Sequence, residues 1–549
     1  MRLNKLFFIL LLNVSVVIAQ DIGTTEIKVL EGFTPVIPDA IRLNENAIFA
    51  DTIKKDRTQS YQVIDVSLKS NYKTQLLKPA KVKDSKIPLL YSTKIQLGFG
   101  SAWTTNASIV HSSARSKNLS YGLIANHFAN KYSLAKNSQN RIFLFGKQVR
   151  SSHIYLANLE YDRKTAFYGD LLEAEAKFYR NRFSYSKFSF SAISKENFHH
   201  KLSHYTNFSI SDLNEFSENE IHFNSKVNYF INDLPIEFFV RYENYLNYNN
   251  DDSPFRQKRS QLFAFSPNIL FKRYNIDFNL GFDFDFVSDG SRLQFFPNIN
   301  MYKEIVKDVV FINGGLRHIK NRHTLKSLSD ENIYMHTFGM NQANLEDQET
   351  YQYFQNLLFS DRNDLYVSMK NVLSKGEVFE GEISYGKMQN FTHFIQINTP
   401  IYNRFQANYI DVLQLHCKAD YSKKINNLLS FIMTLDYYRW SQEVYYKPNF
   451  ICSVSLPFTL RNKIKVSSKL IYKGPRNSFS TDTWPSPYND SDGEILDSQL
   501  YANLSIHYIY SKKISAYLDL NNITNSVNNV WPGYERIGFN GVFGLKYFF

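Results

Sequence analysis

Residues 274–286 read YNIDFNLGFDFDF. Aromatic or aliphatic side chains occupy every even position of this stretch, and polar residues or glycine occupy every odd position. Successive side chains of a β-strand point to opposite faces, so this period of two predicts a strand with one apolar and one polar face. After a short link at 287–290 the alternation resumes over 293–301, which predicts a hairpin.

The same alternation recurs along most of the chain, for example at 221–229 and 236–242 and again at 502–510 and 514–520. Strands of large soluble sandwiches or propellers run about five or six residues, whereas a tilted strand needs about nine to eleven residues to cross a bilayer. The predicted strands belong to the longer class. We therefore predict an all-β fold, a closed transmembrane antiparallel β-barrel of roughly 16 to 22 strands with an even strand number.

The polar face of the first hairpin has a predicted place in this barrel. Asp277, Asp283 and Asp285 would face a watery lumen, opposite rings that face lipid. Together with Arg292 they form a charged patch that either tunes the selectivity of a pore or solvates the interior and pairs across strands. The second role is the more common one, so none of these residues is assigned to a binding site.

The composition excludes several other classes of protein. Phe, Tyr and Trp make up 16% of the 549 residues, yet the mean hydropathy is -0.36, so large rings alternate with polar residues. Collagens, disulfide scaffolds and disordered chains lack this aromatic content. Beyond the first twenty residues no apolar run reaches the 18 or so residues of a spanning helix. The net charge of +12 comes from scattered residues without a nucleic-acid-binding motif, so no nucleic-acid partner is expected.

Residues 1–19 have the features of a cleaved signal peptide. A basic start precedes the apolar stretch 6–17, and small or medium residues lead to cleavage after Ala19. The exported chain carries only Cys417 and Cys452. If 407–421, 427–441 and 447–459 are successive strands, the two cysteines lie on first and third neighbours, about 10 Å apart. That separation predicts two free thiols.

Three regions follow the signal. Residues 20–88 contain prolines and charged stretches with only weak alternation, and we predict an extended periplasmic or lumen-inserted segment. The barrel is predicted over 89–549. Two irregular stretches, 318–350 and 474–497, interrupt the strands, and the second is rich in Pro, Asp and Ser. Long external loops of this kind either meet ligands and partners or form a solvated cap.

The last strand also alternates and ends at Phe549. It must pair with the first strand, because an unpaired edge inside hydrocarbon leaves backbone groups unsatisfied. A terminal amphipathic strand ending in Phe is similar to the signal that bacterial barrel-assembly machinery recognises. The sequence therefore predicts the Gram-negative outer membrane as location, with outer-membrane lipid and the assembly machinery as partners.

Several segments near the carboxyl terminus carry a family resemblance. Residues 517–525 (YLDLNNITN), 531–534 (WPGY) and 544–549 (GLKYFF) resemble the closing strands of TonB-dependent receptors. Residues 472–476 (YKGPR) are similar to a segment found a few strands earlier in that family. The clear match covers about the last 80 residues, and the resemblance implies a receptor-like outer-membrane barrel.

The amino-terminal region departs from that family. Its receptors carry a globular plug and an energy-coupling box before the barrel, whereas residues 20–88 are too short for the plug and show no such box. The stretch 33–40 (FTPVIPDA) is similar to one shared by plugless, receptor-like barrels of Bacteroidetes. The resemblance therefore implies a barrel without a full plug.

No catalytic, cofactor or metal site is predicted. His199 and His200 are adjacent and fall between strands, and His318 and His323 lack the HExxH spacing. The sequence contains neither a GxSxG motif nor a phosphate-binding loop, so an enzyme is not expected.

Two functions remain open. The barrel acts in solute transport or channel formation, or it is a structural or assembly subunit of a multi-protein outer-membrane complex. The receptor-like closing strands favour transport, and the missing plug favours the structural role.

Overall fold

The computed structural model describes the chain from residue 90 onward, with gaps. The described residues are 90–113, 118–132, 135–168, 180–195, 202–214, 217–231, 234–247, 259–288, 293–335, 357–398, 403–481, 495–526, 531–532, 534 and 537–549. The predicted signal peptide at 1–19 and the predicted segment at 20–88 lie outside them. So do His199, His200 and Arg292.

These residues form β-strands and one short helix. The strands are β1 Thr93–Gly100, β2 Thr104–Ser112, β3 Leu119–Tyr132, β4 Ala135–Val149, β5 His153–Tyr168, β6 Arg180–Ser194, β7 Leu202–Leu213, β8 Glu218–Ile231, β9 Leu234–Asn247, β10 Arg259–Arg273, β11 Ile276–Val287, β12 Gln294–Val306, β13 Val310–Arg322, β14 Phe359–Ser374, β15 Glu377–Asn398, β16 Asn403–Lys424, β17 Ser430–Trp440, β18 Phe450–Leu460, β19 Ile464–Lys473, β20 Arg476–Asn477, β21 Ser480–Thr481, β22 Ile495–Leu496, β23 Gln499–Ile509, β24 Ile514–Asn521 and β25 Asn540–Phe548. The helix α1 is Leu325–Glu331.

The long strands close into a barrel. Each pairs antiparallel with the next long strand of the chain, and β25 returns to pair with β1, where Lys94 is opposite Phe548. The closed wall has 22 strands, the upper limit of the predicted number. The two-residue strands β20, β21 and β22 are additions to it, because β20 pairs with β22 and β21 pairs parallel with β15. The all-β barrel prediction is confirmed.

The strand β11 confirms the alternation from which the barrel was predicted. Phe282 and Phe286 are exposed on the outside of the barrel, whereas Asp283 and Asp285 are buried on the inside. Asp277 lies near the end of the strand, where its carboxylate forms a half-exposed ion pair with Lys272 at 3.3 Å. The exposed rings face the lipid, as in a transmembrane barrel, and the protein is located in the outer membrane.

The two ends of the barrel differ in their connections. One end, which we call the turn end, carries both termini of the barrel and connections of two to seven residues, such as the positive-φ pair Tyr274 and Asn275 between β10 and β11. The other, the loop end, carries the long connections 323–358 and 474–498. Because outer-membrane barrels have short periplasmic turns and longer external loops, the loop end faces the outside of the cell.

The seam between β25 and β1 depends on two glycines and one ring. Gly98 is directly opposite Gly544, and the buried Tyr517 of β24 lies against both. A Cβ atom added at either glycine would overlap the Tyr517 ring. The glycines therefore leave space on the lumen side that the ring fills.

Some sequence predictions need correction in detail. The stretch 318–350 was expected to be irregular, yet β13 continues to Arg322 because all its residues from Val310 pair with β14. The external stretch 474–497 contains the short strands β20 to β22. Cys417 and Cys452 are free and lie on β16 and β18 with β17 between them, as predicted. Within the described part of the chain, no helix is both long and apolar enough to cross a membrane.

Candidate functional site: the loop cap and the charged lumen wall

Several external connections fold inward at the loop end and meet each other. We call these segments the loop cap and define them as residues 323–335, 441–449, 474–481, 531, 532 and 534. Residue Met335 bridges to Phe405 of β16, Tyr445 bridges to Asn477, and β21 adds to β15. The loop cap is therefore joined to the barrel wall by backbone pairing as well as by side chains.

An apolar cluster forms the centre of the loop cap. Phe405 is fully buried, and its ring lies 4.9 Å from that of Trp531 and 5.4 Å from that of Tyr446. Tyr334 stacks on Tyr534 with a centroid distance of 3.7 Å. The cluster also includes residues from α1 and from the walls of β6, β7 and β15, namely Leu325, Leu328, Phe183, Tyr185, Leu213 and Phe394. Its members come from distant parts of the chain, so this contact forms only in the closed barrel.

The amino terminus of the helix α1 is capped by side chains. Thr324 accepts from the Ser327 N–H through its side chain, and the Ser327 hydroxyl accepts from the Thr324 N–H in return. The buried Glu218 carboxylate of β8 accepts from the backbone N–H of Leu325 at 3.0 Å and of Lys326 at 3.4 Å. These bonds satisfy donors that a helix start otherwise leaves unpaired.

Polar contacts hold α1 and the residues after it against β5 and β6. Lys164 of β5 pairs with Asp330, and Asp330 also pairs with Lys326 at 2.7 Å. Asn181 of β6 donates to the carbonyls of Ile333 at 2.7 Å and Met335 at 2.9 Å. Burial alone would raise the pKa of Asp330, but hydrogen bonds from Lys164 and Lys326 lower it, so this carboxylate is ionised at neutral pH.

The connection between β17 and β18 contacts both α1 and the connection between β19 and β23. Lys447 pairs with Glu331 at the end of α1, and the Tyr446 hydroxyl donates to the Phe479 carbonyl at 3.1 Å. Burial raises the pKa of Tyr446 to about 12. Burial, together with the nearby Lys447 ammonium, lowers the pKa of His323 to about 4, so His323 is neutral at physiological pH.

Below the loop cap, the lumen wall carries a network of buried charges. His318 lies between Asp285 at 2.8 Å and Asn363 at 2.6 Å and stacks on Phe296 with a centroid distance of 3.8 Å. Lys320, of which 2% is exposed, pairs with Asp361 at 3.0 Å and lies 3.7 Å from Asp285. The network joins β11, β13 and β14.

The network continues to β15. Arg317 binds Asp364 with two hydrogen bonds of 2.8 and 3.0 Å and donates to Glu382 at 2.7 Å. Arg362 contacts the same Asp364 carboxylate at 2.6 Å and donates to Ser384 at 3.0 Å. Two-point pairs of this kind fix geometry as well as charge. We call the groups in these two paragraphs the lumen charge network.

The pairing within the lumen charge network indicates what it can do. Its named cations each have a carboxylate partner, and removing one partner of a buried pair costs about 3 to 5 kcal/mol. It therefore positions β11 and β13 to β15 rather than offering a free group to a solute. Asp283 and Asp285 face this interior as predicted. Among the residues that the structure describes, no group of three or more His, Cys, Asp or Glu side chains is placed to hold a metal ion.

Sequence reasoning did not bring these residues together. His318 and His323 were considered as a pair, but His318 binds Asp285 and His323 binds Thr392 at 2.7 Å. The helix α1 lies inside the stretch 318–350, which the sequence predicts to be irregular. Its signals were present, because Thr324 precedes Leu325 and Leu328, an N-cap residue before apolar positions three apart. The long-range partners of these leucines have no local signal.

Comparisons with known proteins agree with this architecture. No protein-family model matches the chain, and no curated protein matches it in sequence. Among solved structures, the siderophore receptor PirA from Acinetobacter baumannii has a TM-score of 0.59 at 11% identity, covering 84% of this chain and 81% of that chain. A ferric enterobactin receptor variant from Pseudomonas aeruginosa has a TM-score of 0.58 at 10% identity, covering 83% and 80%. The copper transporter OprC has a TM-score of 0.57 at 9% identity, covering 84% of each chain. At these identities the likeness establishes the fold, a 22-strand barrel similar to that of TonB-dependent siderophore receptors.

Proposed function

We propose that the protein is an outer-membrane transport barrel whose external mouth is closed by the loop cap and opens to admit a solute. One observation carries this proposal: external connections fold into the mouth and are held there by packed rings, ion pairs and a few short backbone pairings rather than by continuous sheet. Barrels of about 22 strands are too wide for wall side chains to fill. The similar solved structures include siderophore receptors and a copper transporter, which supports transport as the general activity.

Conductance measurements test this proposal. Replacing Lys164 and Asn181 by alanine removes the wall contacts of Asp330 and of the Ile333 and Met335 carbonyls. In planar bilayers we expect K164A/N181A to show more frequent and larger conductance steps than the unaltered chain. The control K512A/K513A removes two positive charges at the turn end, and its currents should match those of the unaltered chain.

The same experiment separates transport from a structural role. Bilayers that stay silent for the unaltered chain and for K164A/N181A would contradict a gated mouth. Co-purification of other outer-membrane proteins at fixed stoichiometry after mild detergent extraction would then assign the chain to a multi-protein complex.

We infer that residues 20–88 narrow the lumen without sealing it, in place of a full plug, so that current still flows when the loop cap opens. The length of this segment, too short for a globular plug, supports the inference. Deleting 20–88 should raise the conductance of reconstituted protein. An unchanged current would contradict a narrowing role.

We also propose that the barrel-assembly machinery receives the chain through β25. The seam supports this, because Phe549 exchanges backbone hydrogen bonds with Thr93 at 2.9 and 3.0 Å. Deleting Phe549 should slow membrane insertion in cells more than it destabilises the refolded barrel. Equal losses in both measurements would contradict recognition by the machinery.

A further inference from the structure

A cluster of basic side chains lies at the loop end on strands β3 to β6. Lys131 of β3 is directly opposite Lys136 of β4, which is opposite Phe167 of β5, which is opposite Arg180 of β6. Trp103, 83% exposed, lies beside this row because the Lys131 N–H donates to the carbonyl of Ala102. We call Lys131, Lys136 and Arg180 the rim cations. They border a shallow depression of about 720 Å³ that Trp103 and Phe167 also line.

The rim cations lie on the outside of the barrel. Leu144, Leu159 and Phe188 are each more than 40% exposed and face lipid on β4, β5 and β6. Residues eight positions from these three along their strands are Lys136, Phe167 and Arg180. Even spacings keep side chains on one face of a strand, so this row faces outward and not into the lumen.

Their height places the rim cations beyond the apolar core of the membrane. The strand β4 enters from the turn end at Val149. A tilted strand crosses the hydrocarbon core in about nine to eleven residues, which brings β4 to the region of Gln139. Lys136 lies past that point and therefore at the level of lipid headgroups in the outer leaflet.

The pairing of Lys131 with Lys136 is unfavourable by itself. Like charges directly opposite each other on neighbouring strands repel, since their Cβ atoms are about 5 Å apart. Among the described residues, no Asp or Glu oxygen lies within 4.0 Å of the ammonium or guanidinium groups of the rim cations. Lys136 is instead positioned over the Phe167 ring at 5.1 Å. This arrangement is suited to an anion that lies between the two ammonium groups.

We propose that the rim cations and Trp103 form a binding site for the phosphate groups of a phosphorylated glycolipid of the outer leaflet, of the lipid A type. A phosphate between Lys131 and Lys136 accepts charge-assisted hydrogen bonds from both, and Arg180 adds positive charge to the same depression. Trp103 and Phe167 lie at the boundary between headgroups and acyl chains, where aromatic side chains are favoured. The proposal is independent of transport and depends only on the position of the barrel in the outer membrane.

Binding of defined lipids to the full chain in detergent tests this site, with apparent Kd measured by native mass spectrometry. The probes are diphosphorylated lipid A, the same lipid with both phosphates removed, and inorganic phosphate. We expect K131Q/K136Q to bind diphosphorylated lipid A about a hundredfold more weakly, because each of the two charged hydrogen bonds that are lost contributes about a factor of ten. The control K512Q/K513Q makes the same charge change at the turn end and should bind like the unaltered chain.

Several results would overturn the site. They are equal affinity of K131Q/K136Q and the unaltered chain, an equal loss in K512Q/K513Q, or equal binding of the dephosphorylated lipid. If millimolar inorganic phosphate binds the unaltered chain but not K131Q/K136Q, while the two bind the lipid equally, the rim cations bind free phosphate and the lipid proposal is rejected. If K131Q/K136Q fails to fold by gel mobility, the single variant R180Q takes its place. In lipid-free detergent, K131Q/K136Q should have a higher Tm than the unaltered chain, because the Lys131–Lys136 repulsion is removed. A lower Tm would contradict this repulsion.

Discussion

The turn end and the loop end of this barrel are built by different kinds of interaction. At the turn end, neighbouring strands are joined by connections such as 461–463 between β18 and β19, whose residues contact mainly the two strands they join. At the loop end, the residues 323–335 contact β5, β6, β8 and β16, which are up to 166 positions away in the chain.

The interactions that form the barrel wall are therefore different from those that hold the loop cap in its mouth. Each connection at the turn end is stabilised by hydrogen bonds that form as soon as its two strands pair. The loop cap has few backbone pairs and depends on burying rings such as Phe405 and Trp531 together. Its contacts can therefore be broken while the strand ladder of the wall remains, and variants at the two ends should act on different measurements.

The largest effect is expected from the centre of the loop cap. Phe405→Ala removes a fully buried ring from β16, and such truncations cost about 3 to 5 kcal/mol. We expect the loop cap to open, so that conductance in planar bilayers rises while the barrel still migrates as a folded species on gels.

A residue on the same strand provides the control. Leu413 of β16 is 43% exposed and faces lipid, so Leu413→Ala leaves the loop cap intact and its conductance should equal that of the unaltered chain. If both variants change conductance alike, the loop cap is not what closes the mouth.

The second-largest effect is expected from acid, which should open the loop cap. The folded-state pKa of His323 is lowered to about 4 from its ordinary value of 6.5, so between these pH values the released segment binds a proton that the closed loop cap does not. Stability of the loop cap is therefore fully present above pH 6.5 and is lost as pH falls towards 4, by up to about 3 kcal/mol.

Hydrogen exchange of residues 323–335 measures this loss. Protection should fall between pH 6.5 and 4 in the unaltered chain. His323→Gln keeps a polar side chain near Thr392 without a titrating ring, so its protection should vary less over the same range. An identical pH dependence in this variant would show that another group controls the opening.

How much the sequence predicts also differs between the two ends. The period of two at 274–286 identifies strand, face and hairpin because those properties depend on neighbours a few positions apart. The alternation also placed Asp283 and Asp285 inside the barrel. It could not place Lys164 against Asp330 or Trp531 against Phe405, because those pairs depend on how 22 strands curve round to bring distant connections together. The strand number itself depends on closure and was predicted only as a range.

A smaller effect is expected from a substitution in the barrel wall, at the seam between β25 and β1. Gly544→Ala adds a methyl group that overlaps Tyr517 and the Leu97 carbonyl, and overpacking of this kind costs about 1 to 3 kcal/mol. We expect a lower urea midpoint for the folded barrel. Gly146→Ala is the matched control, since the nearest atom to an added Cβ there is 3.9 Å away. Equal midpoints for the two variants would contradict the role of the glycine pair.

The smallest effect is expected at the turn end, where the backbone limits the choice of residue. Tyr274 and Asn275 both have positive φ, 54° and 55°, and so do Arg461 and Asn462, with 48° and 54°. Two-residue turns with this geometry favour Asn or Gly, so Arg461→Asn should raise the free energy of unfolding by about 0.5 to 1 kcal/mol.

Tyr274→Asn makes the same backbone change but also removes a ring that Arg273 covers at 5.0 Å. An exposed contact of this type is worth about 0.5 to 1 kcal/mol, so it offsets the gain and the urea midpoint of Tyr274→Asn should stay close to that of the unaltered chain. Because both turns contain two successive residues with positive φ, the difference between the variants measures mainly the contribution of the ring. A gain for Tyr274→Asn as large as that for Arg461→Asn would mean that the ring contributes nothing at this end of the barrel.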